Sequence, residues 1–355
     1  MNATGYRIAL AAAMAAIGVA TVASQDFRPE GPSWSLSGEA SFSGTAAWAT
    51  SPQYGSDSAL ELTLKARRPG IRAEFSGTAD ALTGPDGATA AFSLERAYLR
   101  WSPGPVVVTL GRQIVNWGNG LLWSPADLFA ETRLVGLSPE RVGADAIRVA
   151  LPLGALGGVE AVAAPASDPS DGSYGGRLYG YALGSDFGLQ AARDGAAAKT
   201  TVSAAVKTDL VLGLWAEIAY AVPDGAGPGD GSLETVAGAD WSIGSWFFVA
   251  AEYRYNAGGA RDAAEALEAA AEGEAYPARH YLYADASAKA GDFASLGIGS
   301  VVDLGDGIAS VTLSAALDVE QDASLTIWAG YSSGSMTSLD GNDAASFGMR
   351  LALAF

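Results

Sequence analysis

Few residues of this chain have side chains that could act as a catalytic base, a nucleophile or a transition-metal ligand. The sequence contains one histidine, His280, and no cysteine, which excludes disulfides, thiolate metal sites and a cysteine nucleophile. A serine hydrolase would need His280 as its base, and no serine motif points to it. We therefore expect no catalytic site, no metal site and no cofactor, and interpret His280 as a rim or packing residue. The Asp-rich loops at 168–172 and 224–231 have the composition of calcium sites without their spacing.

Basic residues in the first half of the chain form the other set with functional potential. They fall on, or close to, the polar side of alternating segments: Lys65, Arg67, Arg72, Arg96, Arg100, Arg112 and Arg148. For Arg96, Arg100 and Arg112 the alternation shows less clearly which side of the strand they occupy. Glu61 and Glu74 are the acidic residues placed most clearly on the same polar side. Rings of Lys and Arg favour anion passage through a pore. Alternatively, these arginines pair with carboxylates on neighbouring strands and carry no selectivity.

The elements that must position these residues are short alternating segments. From Trp34 onward apolar and polar residues alternate with a period of two, which indicates strands with two different environments. Around 58–67, Leu60, Leu62 and Leu64 share one side, and Glu61, Thr63, Lys65 and Arg67 share the other. Tracking this pattern predicts about eighteen strands, near 34–48, 58–67, 71–81, 91–101, 105–115, 144–151, 156–164, 176–183, 186–194, 199–207, 211–221, 232–242, 246–255, 279–289, 293–302, 309–319, 323–332 and 345–355.

The connections between these strands alternate between tight and long. Tight turns such as 68–70, 102–104 and 184–185 alternate with mostly longer segments, of which 116–143 is the longest. The nine connections on the long side contain 18 acidic residues and three basic ones, within a net charge of −18. Sorted loops are typical of membrane β-barrels, with short periplasmic turns and longer outer loops. The acidic balance also excludes the basic footprint of a nucleic-acid-binding protein.

These patterns predict an all-β chain that folds as a membrane-spanning antiparallel up-and-down β-barrel of about 16–18 strands. Only 17% of residues are charged, against roughly 25% in soluble domains. The predicted organisation is a signal peptide at 1–24, with Arg7 before the apolar run at 8–20, followed by one barrel domain at 25–355. A helix is predicted at 260–272, in an outer loop.

The final segment, SFGMRLALAF, places Phe347, Met349, Leu351, Leu353 and Phe355 on one side of a strand. This resembles the C-terminal assembly signal of Gram-negative outer-membrane barrels. The resemblance implies that the barrel assembly machinery recognises these residues, and that the barrel resides in the cell outer membrane in contact with its lipids.

Residues 110–129, LGRQIVNWGNGLLWSPADLF, resemble a motif of porin-like barrels, including alginate-export-type channels and related uncharacterised families. In such relatives the loop after this strand folds into the barrel and narrows it. The resemblance makes the motif residues candidates for a constriction: Gly111, Arg112, Gln113, Trp117, Gly118, Pro125 and Asp127. Leu121, Leu122, Trp123, Leu128 and Phe129 make the 116–143 connection apolar, so it should pack against other residues, either inside the barrel or over its rim.

The sequence thus predicts a porin-like outer-membrane channel for diffusion of small hydrophilic solutes, constricted by the 116–143 loop. The main alternative is a surface barrel without transport, such as an adhesin or structural envelope protein. A membrane enzyme and a secreted soluble β protein are weaker alternatives, because of the single histidine and the sorted loops respectively. The sequence names neither the solute nor the oligomeric state.

Overall fold

Period-two alternation produces strands along nearly the whole chain. In the computed structural model, residues 33–48, 52–84, 87–135, 138–272, 274–333 and 343–355 are described, so the predicted signal peptide lies outside the described residues. The strands are β1 (Ser33–Trp48), β2 (Pro52–Arg68), β3 (Ile71–Gly84), β4 (Gly87–Trp101), β5 (Val107–Gln113), β6 (Glu131–Val135), β7 (Ser138–Val142), β8 (Ala144–Pro152), β9 (Gly157–Ala164), β10 (Ser173–Ala182), β11 (Ser185–Asp194), β12 (Lys199–Asp209), β13 (Gly213–Pro223), β14 (Ser232–Ile243), β15 (Phe247–Asn256), β16 (His280–Lys289), β17 (Ala294–Asp303), β18 (Ala309–Glu320), β19 (Ala323–Ser332) and β20 (Ala344–Ala354).

Eighteen of these strands form one antiparallel sheet that closes on itself as an up-and-down barrel, which confirms the predicted fold class and the upper strand number. Closure is made by β1, which pairs with β2 on one side and with the last strand, β20, on the other. Gly38 on β1 exchanges backbone hydrogen bonds of 2.9 and 3.0 Å with Phe355. A side chain at Gly38 would lie 2.6 Å from the Phe355 ring, so glycine is required where the terminal aromatic packs.

The two faces of the strands have the reverse of the usual polarity. On β13, Trp215 and Glu217 are buried, whereas Leu214 and Ile218 on the opposite face are exposed. On β11, Gln190 is buried and Leu189 is exposed. We call the face that carries Glu217 the polar face and the face that carries Ile218 the apolar face. An exposed apolar face is unfavourable in water and favourable in lipid.

Most connections follow the predicted sorting of loop lengths, but the two expected at 49–57 and 82–90 shrink to 49–51 and 85–86, because β2, β3 and β4 are longer than predicted. Six short turns contain a glycine with positive φ, a conformation that tight hairpins need: Gly70, Gly104, Gly154, Gly184, Gly244 and Gly291. Among the longer connections, the one before β16 contains helix α1 (Ala263–Ala271), which falls inside the predicted 260–272. Asp262 caps α1 by accepting hydrogen bonds from the amides of Ala264 and Glu265 at 3.0 and 3.1 Å. Short 3-10 helices occupy Pro169–Asp171 and Pro228–Asp230.

The sequence did not predict β6 and β7, which form a separate two-stranded sheet within the long connection after β5. Each strand has only five residues, too short for a period of two to be recognised. No helix among the described residues has the length and apolar character to cross a membrane.

Contacts between Cα atoms group the chain into two compact units. Among the described residues, the first unit comprises those within 33–99, 287–298 and 311–355, and the second those within 100–286 and 299–310. The longest connection and the strands that it contacts belong to the second unit. The buried aromatic residues Trp117, Trp123, Trp215, Tyr281 and Tyr283 belong to that unit as well.

Candidate functional site

The first part of the longest connection lies against the polar face of the second unit. We call residues 114–130 the inner loop; it has neither helix nor strand until β6 begins at Glu131. Val115, Trp117, Leu122, Trp123 and Ala126 are all buried. The prediction that this apolar loop packs against other residues is therefore confirmed, and the polar face of the strands is the surface that it covers.

Glu217 holds the middle of the inner loop. This glutamate extends from β13 and accepts hydrogen bonds from the amides of Asn119, Gly120 and Ala126, at 2.7 Å for Gly120 and 3.1 Å for Ala126. The Ser124 hydroxyl donates to the same carboxylate at 2.9 Å. Since Glu217 is 3% exposed, these donors replace the water that the carboxylate would otherwise bind.

Glu252, on β15, performs the same role for the tip of the inner loop. Its carboxylate accepts from the consecutive amides of Leu121, Leu122 and Trp123 at 2.6, 3.0 and 2.8 Å. The indole Nε1 of Trp215 donates to it at 2.8 Å. Glu252 is 1% exposed, and these four groups all donate to it. The carboxylates of two strand residues, Glu217 and Glu252, therefore bind the backbone of the inner loop.

The inner loop also contains close approaches that exclude side chains. A Cβ at Gly120 would lie 1.8 Å from the carbonyl oxygen of Trp123, and one at Gly118 would lie 1.8 Å from the Ser124 hydroxyl. Asp127 closes the base of the loop by accepting from the amides of Trp117 and Gly118, the latter at 2.6 Å. Any residue larger than glycine at position 120 would displace the loop backbone.

Aromatic packing fixes both the base and the tip of the inner loop. The Trp117 indole meets the Phe129 ring edge-on at 5.0 Å and donates to Glu160 at 2.9 Å. Trp123 packs against three tyrosines, Tyr276, Tyr281 and Tyr283, at centroid distances of 5.5, 5.7 and 6.5 Å. Tyr276 lies in the connection before β16, and its burial raises the pKa of its hydroxyl. These contacts add apolar anchorage to the hydrogen bonds of the carboxylates.

Gly118 and Pro125 lie in the inner loop, and four further predicted site residues come together in this region. Trp117 and Asp127 belong to the inner loop, and Asp127 also forms an ion pair of 2.8 Å with Arg141. Gln113 is buried and donates to the carbonyl of Ala146 at 3.0 Å. Arg148 pairs with Glu160, the carboxylate that accepts from Trp117.

Arg112 lies elsewhere. Thr109 and Gln113 are buried on one face of β5, whereas Arg112 shares the other face with the exposed Leu110. It pairs with Asp145 on β8, with 2.5 Å between Nη2 and Oδ2. Arg112, whose side of the strand was unclear from the sequence, thus lies on the apolar face of β5. Its ion pair with Asp145 does not connect it to the inner loop.

Arg72 and Arg96, two of the other predicted basic residues, surround Glu74 in the first unit, whereas Arg100 belongs to the second unit. Arg72 and Arg96 pair with Glu74 at 2.8 and 3.1 Å, and the Tyr98 hydroxyl donates to it at 2.8 Å. Lys65 is directly opposite Glu74 in the register of β2 and β3, and Arg67 is opposite Arg72. Glu74 is buried, so this cluster is an ion-pair network on the polar face.

Sequence reasoning missed Glu217, Glu252 and Glu160. Each is a single acid on the polar side of an otherwise apolar or aromatic strand, as in LWAEIAY and VAAEYRY. That isolation is a usable signal, because a charge inside an apolar strand requires a partner. The partners of Glu217 and Glu252 could not be inferred, since the loop amides that they bind are about a hundred residues away in sequence.

His280 begins β16 and is separate from the inner loop. Its Nδ1 and the Tyr253 hydroxyl share a hydrogen bond of 2.7 Å, and the Tyr255 ring lies 5.2 Å away. These contacts suit the expected packing role. Within the described ranges, no group of three His, Cys, Asp or Glu side chains is arranged to hold a metal ion.

Comparison with known proteins gives likeness of fold only. No family model matches the sequence. No curated protein matches it either. Among solved structures, OccK5 (OpdH) of Pseudomonas aeruginosa matches with a TM-score of 0.63 and 8% identity, over 92% of this chain and 98% of that chain.

Two further structures from Pseudomonas aeruginosa are similar. OpdL has a TM-score of 0.59 with 12% identity, over 91% of this chain and 98% of its own. The outer membrane protein OprD has a TM-score of 0.58 with 10% identity, over 91% and 93%. The chain thus has the architecture of this class of outer-membrane barrels. This similarity of fold agrees with the predicted resemblance to porin-like barrels. It does not support the narrower comparison with alginate-export-type channels.

Proposed function

We propose that this chain is a porin-like channel of the outer membrane, through which small hydrophilic solutes diffuse past the inner loop. The observation that carries the proposal is the reversed polarity of the strands. Charged residues such as Glu217 and Glu252 are buried on one face, and Leu, Ile and Phe side chains are exposed on the other. A barrel with this polarity is suited to lipid outside and water inside.

The position of the inner loop supports a constriction. Residues 117–126 lie over the polar face, where Glu217 and Glu252 fix them through backbone amides. A loop held at its backbone by buried carboxylates keeps one position, as a size filter must. Gln113, Trp117, Asp127 and Arg148 contribute by fixing the base of the loop; Lys65, Arg67 and Arg72 remain candidates for the wall of the passage.

The ion pairs bear on charge selectivity. Arg72 and Arg96 share Glu74, and Arg148 pairs with Glu160, so much of the basic charge on the polar faces is compensated. This supports the alternative in which lumen arginines pair across neighbouring strands. Selection of anions by an uncompensated basic wall is the weaker hypothesis.

Outer-membrane lipids and the barrel assembly machinery are the proposed partners outside the solute pathway. Phe347, Met349 and Leu351 are exposed on the apolar face of β20, while Arg350 pairs with Glu39 on the other face at 2.5 Å. An amphipathic last strand that ends in Phe355 supports recognition by that machinery. No cofactor and no energy source are part of the proposal.

Single-channel recording in planar bilayers tests the proposal. Refolded protein should insert and give stable conductance steps, with no added ligand. If protein that is folded and inserted conducts no ions, the channel proposal is overturned, and the surface barrel without transport takes its place.

A further inference from the structure

The short turns of the second unit carry large apolar side chains at their tips. The apolar turns, as we call them, are the segments 153–156, 183–184, 210–212 and 244–246, and each exposes at least one such residue. Leu183 is 99% exposed and Val211 87%, and Leu153, Leu156, Leu210 and Trp246 are exposed as well. Apolar residues repeated at one end of a sheet indicate a contact surface.

The backbone at Leu183 strengthens this inference. Leu183 has a φ of 56°, in the left-handed region that Gly, Asn and Asp adopt most readily. Gly184, the second residue of the same turn, also has a positive φ, of 81°. Local conformation therefore disfavours leucine at position 183, and an almost fully exposed side chain gains little from packing within the chain. A contact outside the chain would account for this leucine.

The apolar turns are continuous with the apolar face of the strands that they join. Phe187, Leu214 and Trp241 lie on that face within a few residues of the turns, and all are exposed. The charged residues near the same turns, such as Asp186 and Lys207, are opposite each other on β11 and β12 and share the polar face. On the apolar face of the described strands β10 to β15, no charged residue lies beside these turns, and Ser185 and Thr208 are the polar residues next to the turn at 183–184.

Two short turns of the first unit have a different character. The turn between β2 and β3 follows Arg67 and Arg68, and the turn between β18 and β19 contains Gln321 and Asp322. These residues are exposed, as expected for turns in water. The apolar tips are thus not a general property of the short turns, although Phe293, in the 290–293 turn of the first unit, is 70% exposed as well.

We propose that the apolar turns insert into the membrane leaflet on their own side, with lipid as the occupant of the surface that they form. The inference rests on the proposed membrane barrel and adds that this end of the second unit is embedded rather than bathed in periplasmic water. Leu183 and Val211 would lie among lipid chains or at their boundary with the headgroups, and Trp246 would lie at the interface, where tryptophan is favoured.

Site-directed spin labelling tests this directly, because the native chain has no cysteine. A nitroxide is attached in turn to Leu183→Cys, Val211→Cys, Leu189→Cys and Gln321→Cys, each in refolded full-length protein in dilauroylphosphatidylcholine vesicles. Oxygen concentrates in lipid and a nickel chelate stays in water, so the two collision rates report depth. Leu189, exposed in the middle of β11, is the lipid control, and Gln321 is the matched turn control.

The labels at 183 and 211 should resemble the label at 189, with frequent oxygen collisions and loss of nickel collisions. Collisions with nickel as frequent as at position 321 would overturn the proposal and leave a periplasmic protein as the alternative occupant. Access of nickel to position 189 as well would instead overturn the membrane barrel itself. Two turn positions keep the test decisive if one variant does not fold.

Discussion

Single glutamates on the barrel strands accept hydrogen bonds from inner-loop backbone amides that no helix or sheet pairs. Between Gln113 and Glu131 the chain has no regular structure, so its buried amides lack partners from a helix or sheet. Glu217 and Glu252 supply carboxylate oxygens to six of these amides. The arrangement satisfies two buried charges and six buried donors at once, which explains why glutamates occur on otherwise apolar strands.

Replacing one of these glutamates should therefore release the loop. In Glu252→Gln, the new amide NH2 group faces at least two N–H donors, whichever oxygen it replaces. Hydrogen bonds to charged groups contribute about 1.5–3 kcal/mol each. We expect a higher mean single-channel conductance with more current noise, since the loop tip no longer keeps one position.

Asp186→Asn is the matched control for that variant. Asp186 is exposed on the polar face of β11, opposite Lys207 and away from the residues that hold the inner loop, so its replacement removes one negative charge without freeing the loop. Equal conductance for Glu252→Gln and the native channel, with folding intact, would show that Glu252 does not hold a constriction.

At the scale of the elements, strands were predictable and the loop structure was not. Period-two alternation located every strand of the barrel sheet, because each strand separates two environments along its whole length. The inner loop shows the limit: its apolar residues indicated burial, but Glu217 and Glu252 are distant in sequence and no local pattern connects them to it. Arg112 shows the same limit, because its residue type does not indicate which face of β5 it occupies.

The apolar face gives a prediction for a single strand. Ile218 lies at the middle of β13 and is exposed on the apolar face. If this face meets lipid, Ile218→Lys should destabilise the folded barrel by about 2–4 kcal/mol, the cost of a lysine near the bilayer midplane. Urea-induced unfolding in lipid vesicles measures the change.

Ala196→Lys provides the control, because Ala196 is exposed in the connection between β11 and β12, outside the strands. Its free energy of unfolding should change by well under about 1 kcal/mol, as for other surface substitutions. A similar small effect of Ile218→Lys would mean that the apolar face of β13 does not meet lipid.

At the scale of the whole molecule, net charge decides between two sources of ion selectivity. The chain has a formal charge of −18, and the predicted long connections, with 18 acidic and three basic residues, account for −15 of it. Several arginines on the polar faces that could oppose them are paired, as Arg148 is with Glu160 and Arg72 with Glu74. Solutes therefore approach through a predominantly negative field.

We expect the channel to prefer cations, and to do so weakly at high salt. Exposed loop carboxylates act through water, where the Debye length falls from about 10 Å at 0.1 M to about 3 Å at 1 M salt. Reversal potentials measured under a potassium chloride gradient should therefore have the sign of cation preference at low salt and approach zero as the concentration rises. Anion preference that persists at 1 M salt would instead show that basic residues lining the passage set the selectivity. Lys65 and Arg67, which lie across from Glu74 and Arg72 in the first unit, would then be the residues to replace.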